Sequence, residues 1–308
     1  MPRLYIAVRN NAEAFATLFR TALPDHEVVT DLPTDGAPTA YAVVGVPPPG
    51  LIGGLTGLEL ILSINAGVEH LLASGEVPDT VPIVRMVDPG LVQGMVQWVA
   101  ARVLGWHRNL FGYAAQQAEP RWAQKSERLA SERTVTVLGA GALGRPVAEM
   151  LASFGFSTRI WSRSPHDIPG IAGFAGADAL GAAVDGTDIL VNLLPATAGT
   201  IDLIDYALLA RMARGGLLVN GGRGVTVVDG DVLRALDEGL LDSAALDVFR
   251  KEPLPADDPF WRHPKVHVTP HVAAITHAHT SVAIMAENVR RHERGEPLAH
   301  LVDRRQGY

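Results

Sequence analysis

Short apolar, β-branched runs alternate along the chain with longer stretches whose apolar residues recur every three or four positions. LYIAV (4–8), HEVVT (26–30), AYAVVG (40–45), LELILSI (58–64) and VPIVRM (81–86) read as strands, and residues 11–23 have helical spacing. From Gly90 to Tyr113 the pattern, with Trp98, Val103, Leu104 and Trp106 on it, predicts one long helix. A polar stretch from Gln116 to Arg128 follows. A second series of strands then begins: TVTVL (134–138), STRIW (157–161), DILVNL (188–193), GLLVN (216–220), SAALDV (243–248) and VHVT (266–269). Helical periodicity returns from Ser281 to His292. Strands alternating with helices imply βαβ units and mainly parallel sheets.

The expected fold class is therefore α/β, with two Rossmann-like or flavodoxin-like parallel-sheet domains and an active-site cleft between them. The first domain is expected to be discontinuous, residues 1–98 plus 278–308, because the last helix can pack back on the first sheet. The second is expected over 99–277. A chain of 308 residues can bury two such cores without metal or disulfide staples.

Composition then narrows the chemistry. The net charge of −7 argues against nucleic-acid and anionic-membrane partners, so any bound anion must meet local positive groups. The absence of cysteine removes disulfides, thiolate catalysis and Cys-ligated zinc. Eleven histidines raise the question of a metal, above all His277 and His279 near His271, but no nearby Asp or Glu completes a ligand set, and none is expected. MPRLYIAVRN lacks the apolar core of a signal peptide, and the run from Leu51 to Val68 is broken by Glu59, Asn65 and glycines. The expectation is a cytoplasmic protein.

TVTVLGAGALGRPVAEML places Gly139, Gly141 and Gly144 in G-x-G-x-x-G spacing between a strand and a helical run from Ala142 to Phe154. The pattern alone is weak in a chain with 31 glycines, but this strand–loop–helix context strengthens it. Gly139 permits a tight turn, Gly141 lets the backbone approach a pyrophosphate, and Gly144 lets helix pack on strand. The loop Gly139, Ala140, Gly141, Ala142, Leu143 and Gly144 is thus a dinucleotide site, with the helix N-terminus attracting the anion. Eighteen residues beyond Gly144 an acid would hold the ribose hydroxyls of NAD. Here the chain reads WSRSP, with Ser162, Arg163 and Ser164. Hydroxyls and a guanidinium suit a 2′-phosphate, which predicts NADP(H) as the preferred cofactor and NAD(H) as the alternative.

Three further segments end strands of the second series. NGGRG (220–224) carries Gly221 and Arg223, LDVFRKEPLP (246–255) carries Asp247 and Glu252, and HVTPHVAA (267–274) carries His271. Cation, carboxylate and imidazole at the carboxyl ends of one sheet suit reduction of a carbonyl beside a carboxylate.

With these segments, and TIDLIDYALLARMARGGLLVNGGRGVTVVDGDVLRALDEG before and through them, nearly the whole chain resembles the D-isomer-specific 2-hydroxyacid dehydrogenases. VRMVDPGLVQGMVQWVAARVLGWHRNL and the tail VDRRQGY are similar to glyoxylate/hydroxypyruvate reductases of the bacterial A type. The resemblance implies NADPH-dependent reduction of a small 2-oxo acid to the D-2-hydroxy acid. Arg223 would bind the substrate carboxylate and polarise the keto oxygen. His271 would donate the proton, and Glu252 would orient it. It implies that Asp247 contacts the nicotinamide carboxamide, that Leu194-Pro195 borders the adenosine half, and that Ala66, Gly67 and Val68 offer N–H groups to the carboxylate. It also implies a homodimer, with the arm from Gln116 to Arg128 reaching over the partner. Gly222 stands where the family usually has alanine, a departure expected to change little. The corner from Gly45 to Gly50 lacks an aromatic residue, which leaves a larger 2-oxo acid as an alternative substrate. A nucleotide-sensing regulatory protein is the alternative of another class.

Overall fold

The computed structural model describes residues 1–307. The chain begins with β1 (Arg3–Ala7), α1 (Ala12–Ala22), β2 (Glu27–Val29), β3 (Tyr41–Val44), β4 (Leu60–Ser63), α2 (Glu69–Ala73) and β5 (Ile83–Val84). It continues through α3 (Pro89–His107), α4 (Leu110–Ala118), β6 (Thr134–Leu138), α5 (Gly144–Ser153), β7 (Ser157–Ser162) and β8 (Ala172–Ala175). Then come α6 (Leu180–Val184), β9 (Ile189–Asn192), α7 (Tyr206–Leu209), β10 (Gly216–Asn220), α8 (Asp229–Asp237), β11 (Leu241–Leu246), β12 (Val266–Val268) and α9 (Ala278–Glu293).

Two compact units result, Met1–Leu91 with the segment from Ile275 onward, and Val92–Ala274. The sequence reading put the divisions at 98/99 and 277/278. The first instead falls within the opening turn of α3, because buried Asp88 accepts from Leu91 N at 2.6 Å and from Thr280 Oγ1 of α9 at 3.3 Å. That carboxylate ties the helix start to the smaller unit.

The smaller unit is a five-stranded parallel sheet in the order β2-β1-β3-β4-β5, the flavodoxin-like arrangement. The α9 helix packs on α1, and Arg290 Nη2 of α9 donates to Ala22 O at 2.6 Å. The larger unit is a seven-stranded parallel sheet, β12-β11-β10-β9-β6-β7-β8. Counted from β6, this is the doubly wound dinucleotide-binding order, extended by one strand. Its central strands are buried on both faces, which is why they read as unbroken apolar runs rather than alternating ones. On one face Val99 and Val103 of α3 join Val147 and Leu151 of α5. On the other, Leu180, Leu208 and Val232 come from α6, α7 and α8.

The long helix expected from Gly90 to Tyr113 is two helices. Asn109 breaks it in the left-handed region, at φ 54°, a conformation asparagine tolerates better than most residues. The Phe111 ring then folds against Gly105, where a Cβ would lie only 2.7 Å from Phe111 Cζ. The strand β8, absent from the sequence reading, pairs in parallel with β7 at the sheet edge. Among the described residues no helix is long and apolar enough to cross a membrane.

Candidate active site

The crevice at the carboxyl ends of β6 and β9 is the point where the strand order of the larger sheet reverses, the place where such sheets receive a ligand. The glycine loop lies there. Gly139 has φ 106°, and a Cβ on it would meet Leu193 O at 3.1 Å. A Cβ on Gly144 would sit 1.8 Å from Gly139 O, so the loop closes on the helix only with glycine at this position. Gly141 differs: nothing lies within 4 Å of the Cβ it lacks, and that exposed, open space is where a pyrophosphate can approach the backbone. The helix α5 starts at Gly144, two residues later than expected, and its first turn carries no acid to repel an anion. These residues fit a dinucleotide phosphate.

At the end of β7, Ser162 is largely buried and donates its hydroxyl to Ser164 O at 2.6 Å, which commits its proton to the local turn. Arg163 and Ser164 are exposed. No carboxylate stands at the strand end itself.

A buried polar lattice that the sequence reading missed joins the next two strand ends. Asn192 and Asn220, at the ends of β9 and β10, are 0% and 1% exposed. Asn192 Nδ2 donates to Asn220 Oδ1 at 2.9 Å and to Thr226 Oγ1 at 2.7 Å. Their remaining capacity goes to the backbone: Leu194 N and Gly222 N donate to the two amide oxygens, and Arg223 O accepts from Asn220 Nδ2 and Thr226 Oγ1. The loops carrying Leu194 and Arg223 are thereby held together from within, and each partner removed would leave a buried polar group costing about 1–3 kcal/mol. Two polar residues at strand ends look ordinary in sequence; only the parallel register that pairs Asn220 with Asn192 reveals them.

Gly222 is a correction. The expectation was that glycine in place of alanine changes little, but a Cβ there would lie 2.7 Å from Leu194 O and 2.9 Å from Leu194 N. Those are backbone atoms of the neighbouring loop, so glycine sets how closely the two loops approach. Gly224 does the same toward the next strand end, where its Cβ would fall 1.9 Å from Phe249 C.

Arg223, Asp247 with Glu252, and His271 follow β10, β11 and β12, three neighbouring parallel strands. His271 Nδ1 lies 2.6 Å from Glu252 Oε2, with both side chains partly open to solvent. With Nδ1–H donating to the carboxylate, Nε2 is the ring atom free to exchange a proton with a substrate. Glu252 Oε1 accepts from Phe249 N at 2.9 Å. Burial pushes the Glu252 carboxyl upward, but the hydrogen bonds from His271 and Phe249 and the charges of His271 and Arg223 outweigh it, leaving it below the usual glutamate range. The Arg223 charge therefore reaches Glu252, and Arg223 Nη1 donates to Gly222 O at 2.8 Å.

Asp247 is 1% exposed and turned toward the loop that carries His271. Its Oδ1 accepts from Thr269 Oγ1 at 2.6 Å and Val272 N at 3.0 Å, and its Oδ2 from Ala273 N at 2.9 Å. Its backbone oxygen accepts from His271 N at 2.9 Å. His271 adopts φ 55°, a left-handed conformation costing a non-glycine residue on the order of 1–2 kcal/mol. The Asp247 bonds hold it there.

In the smaller unit, Ala66, Gly67 and Val68 follow β4 and lead into α2. That helix has five residues, so the dipole at its start is short. His70 Nε2 contacts Gly45 O at 2.8 Å, and Glu76 accepts from Gly50 N, Ile52 N and Gly53 N, so the corner after β3 is braced from two sides.

Residues 100–273 match the family described as D-isomer specific 2-hydroxyacid dehydrogenase, NAD binding domain. The glyoxylate/hydroxypyruvate reductase A of Klebsiella pneumoniae is 41% identical over 279 residues, 89% of each chain. A D-isomer specific 2-hydroxyacid dehydrogenase from Xanthobacter autotrophicus, solved with NADPH and MES, is 36% identical with a TM-score of 0.94, over 100% of this chain and 99% of that one. The NADPH-dependent glyoxylate/hydroxypyruvate reductase of Sinorhizobium meliloti, solved with NADP and sulfate, is 34% identical with a TM-score of 0.94 over all of both chains.

Proposed function

Because the chain belongs to the D-isomer specific 2-hydroxyacid dehydrogenase family, an NAD(P)-dependent group of oxidoreductases, we propose that it reduces glyoxylate or hydroxypyruvate with NADPH. The observation that carries the proposal is the His271–Glu252 contact of 2.6 Å, made by residues that follow β12 and β11, on the same side of the sheet order as the β10 strand before Arg223. The dinucleotide, when bound, supplies the hydride. Arg223 binds the carboxylate and draws charge onto the keto oxygen. His271 Nε2 gives its proton to that oxygen, and Glu252 fixes the ring and stabilises its charged form. Backbone N–H groups of Ala66, Gly67 and Val68 are proposed to take part in carboxylate binding. Gly139 to Gly144, Leu194, Pro195 and Gly221 are proposed to line the cofactor, with Arg163 and Ser164 on the 2′-phosphate and Ser162 behind them. For Asp247 the hydrogen bonds support a role beneath the His271 loop, with any carboxamide contact added to that.

The test is a panel of 2-oxo acids followed by loss of NADPH absorbance, in wild type, His271→Ala and Arg223→Ala. Proton donation is worth about 10²–10⁴-fold, so His271→Ala should lose nearly all turnover while still binding NADPH. Near-wild-type rates in either variant would refute the site. Faster turnover of bulky substrates would move the assignment to a larger 2-oxo acid, and NADPH binding without turnover of any would favour a nucleotide sensor. A homodimer is also proposed: Leu110, Trp122 and Leu129 around the arm are 58%, 97% and 69% exposed, apolar surface that a second copy would cover. Sedimentation showing only monomer at micromolar concentration would remove that claim.

A further inference from the structure

Beneath Asp247, helix α3 supplies a contact that the reaction scheme leaves unused. Trp98 Nε1 donates to Thr269 Oγ1 at 3.1 Å, and Thr269 Oγ1 donates to Asp247 Oδ1 at 2.6 Å. The hydroxyl has one proton. With the indole N–H occupying a lone pair of the threonine oxygen, that proton is aimed at the carboxylate and at nothing else. One turn further along α3, the half-buried Arg102 guanidinium lies over the Trp98 ring, 5.6 Å from its centroid. Its charge and that of Asp247 interact favourably, offsetting part of the cost of burying both. The carboxylate thus receives the threonine hydroxyl and the Val272 N–H on Oδ1 and the Ala273 N–H on Oδ2. Those two amides immediately follow His271, so the orientation of Asp247 sets the path of the backbone through the histidine.

We propose that Trp98 and Thr269 are positioning residues: through Asp247 they hold the 271–273 backbone in the turn that faces His271 toward Glu252. Neither side chain touches the reacting atoms in this scheme, which rests on the proposed reductase reaction. The relay has a direction, from Trp98 to Thr269 to Asp247, so the effect of the indole must pass through the hydroxyl.

Three single variants and one double variant test it. Thr269→Val removes the donor to a buried carboxylate, and kcat for 2-oxo acid reduction should fall about tenfold with the KM for NADPH unchanged. Thr269→Ser keeps the hydroxyl and should restore most of kcat. Trp98→Phe keeps an aromatic ring beneath Arg102 but removes the N–H with part of the indole, and should cost about threefold, while the pair Trp98→Phe with Thr269→Val should be no slower than Thr269→Val alone. In parallel, amide hydrogen exchange at Val272 and Ala273 should quicken in Thr269→Val, measured without substrate or cofactor. Additive losses in the double variant, unchanged kcat in Thr269→Val, or unchanged exchange at both amides would each overturn the proposal. Because the exchange readout needs no turnover, a wild-type protein that reduces no 2-oxo acid would sink the proposed function and leave the relay still testable.

Discussion

Replacing Glu252 by glutamine keeps the size, removes one negative charge and leaves one acceptor oxygen for the two donors the carboxylate now meets, Phe249 N and His271 Nδ1–H, which makes it a sharp probe of the proposed acid–base pair. The contact is 2.6 Å, a charge-assisted bond when His271 is protonated. Such bonds contribute about 1.5–3 kcal/mol and are roughly twice as strong as neutral ones. The side chains are 50% and 34% exposed, so solvent screening takes the lower end of that range. Loss of the charge should therefore weaken the contact by about 1 kcal/mol. The sign is definite. In the proposed reaction reduction consumes a proton from His271, so the rate is expected to fall on the alkaline side. With that contact weakened, the alkaline limb of Glu252→Gln should move to lower pH. Oxidation of the hydroxy acid needs the neutral ring, so at neutral pH the reverse reaction should lose less than reduction does. The assay is kcat against pH in both directions, at saturating cofactor. The acid side carries its own check: the Glu252 carboxyl is held below its usual range, so the stability it contributes is present above the ordinary glutamate value and disappears as pH falls through the lowered one. An unmoved alkaline limb with equal losses in both directions would show that Glu252 merely braces the turn through Phe249 N, and the acid–base reading would be wrong.

Arg163→Ala should weaken NADPH binding roughly 10- to 100-fold and leave NADH almost untouched, because one charge-assisted contact to the 2′-phosphate is lost; a loss shared by both cofactors would refute the phosphate reading. Gly222→Ala should cost about 1–3 kcal/mol of stability and lower kcat/KM, since the added carbon meets the Leu194 backbone; wild-type melting and activity would show that the Leu194 loop moves freely. Burial, with the charges of Glu293 and Glu59, pushes the Tyr41 phenol from 10 up to about 12. The stability linked to it is full below pH 10 and is lost as pH rises toward 12, so Tyr41→Phe should remove one alkaline unfolding step seen by circular dichroism; an unchanged alkaline transition would contradict this.

What could be read from the sequence, and what could not, follows from the range over which each feature is specified. The interior strands of the larger sheet are buried on both faces, so their apolar runs are continuous and local, and six of its seven strands were placed within two residues at each end. The strand β8 escaped because Ala172–Ala175 sits at the sheet edge, half open to water, and Gly173 dilutes its signal. The break at Asn109 was hidden for the opposite reason: apolar periodicity runs on across it, and one residue with positive φ turns the chain without disturbing the pattern.

The candidate site divides along the same line. Arg223, Glu252 and His271 were legible because each follows a recognisable strand and carries chemistry in its side chain. The buried polar groups beneath them were not. Asn192 pairs with Asn220 across 28 residues and Thr269 with Asp247 across 22, while Trp98 reaches Thr269 across 171. Threonine at the end of VHVT and tryptophan on an apolar helix face both satisfy the local pattern, so nothing in sequence marks them as polar partners. Their hydrogen bonds exist only once β9 to β12 lie in parallel order with α3 packed against that face. The same order explains why Gly222 was undervalued: the cost of its missing Cβ is set by Leu194, a residue on the neighbouring strand's loop. In this protein the proposed reacting groups are announced by residue type, whereas the buried polar partners beneath them are brought together only by the sheet order.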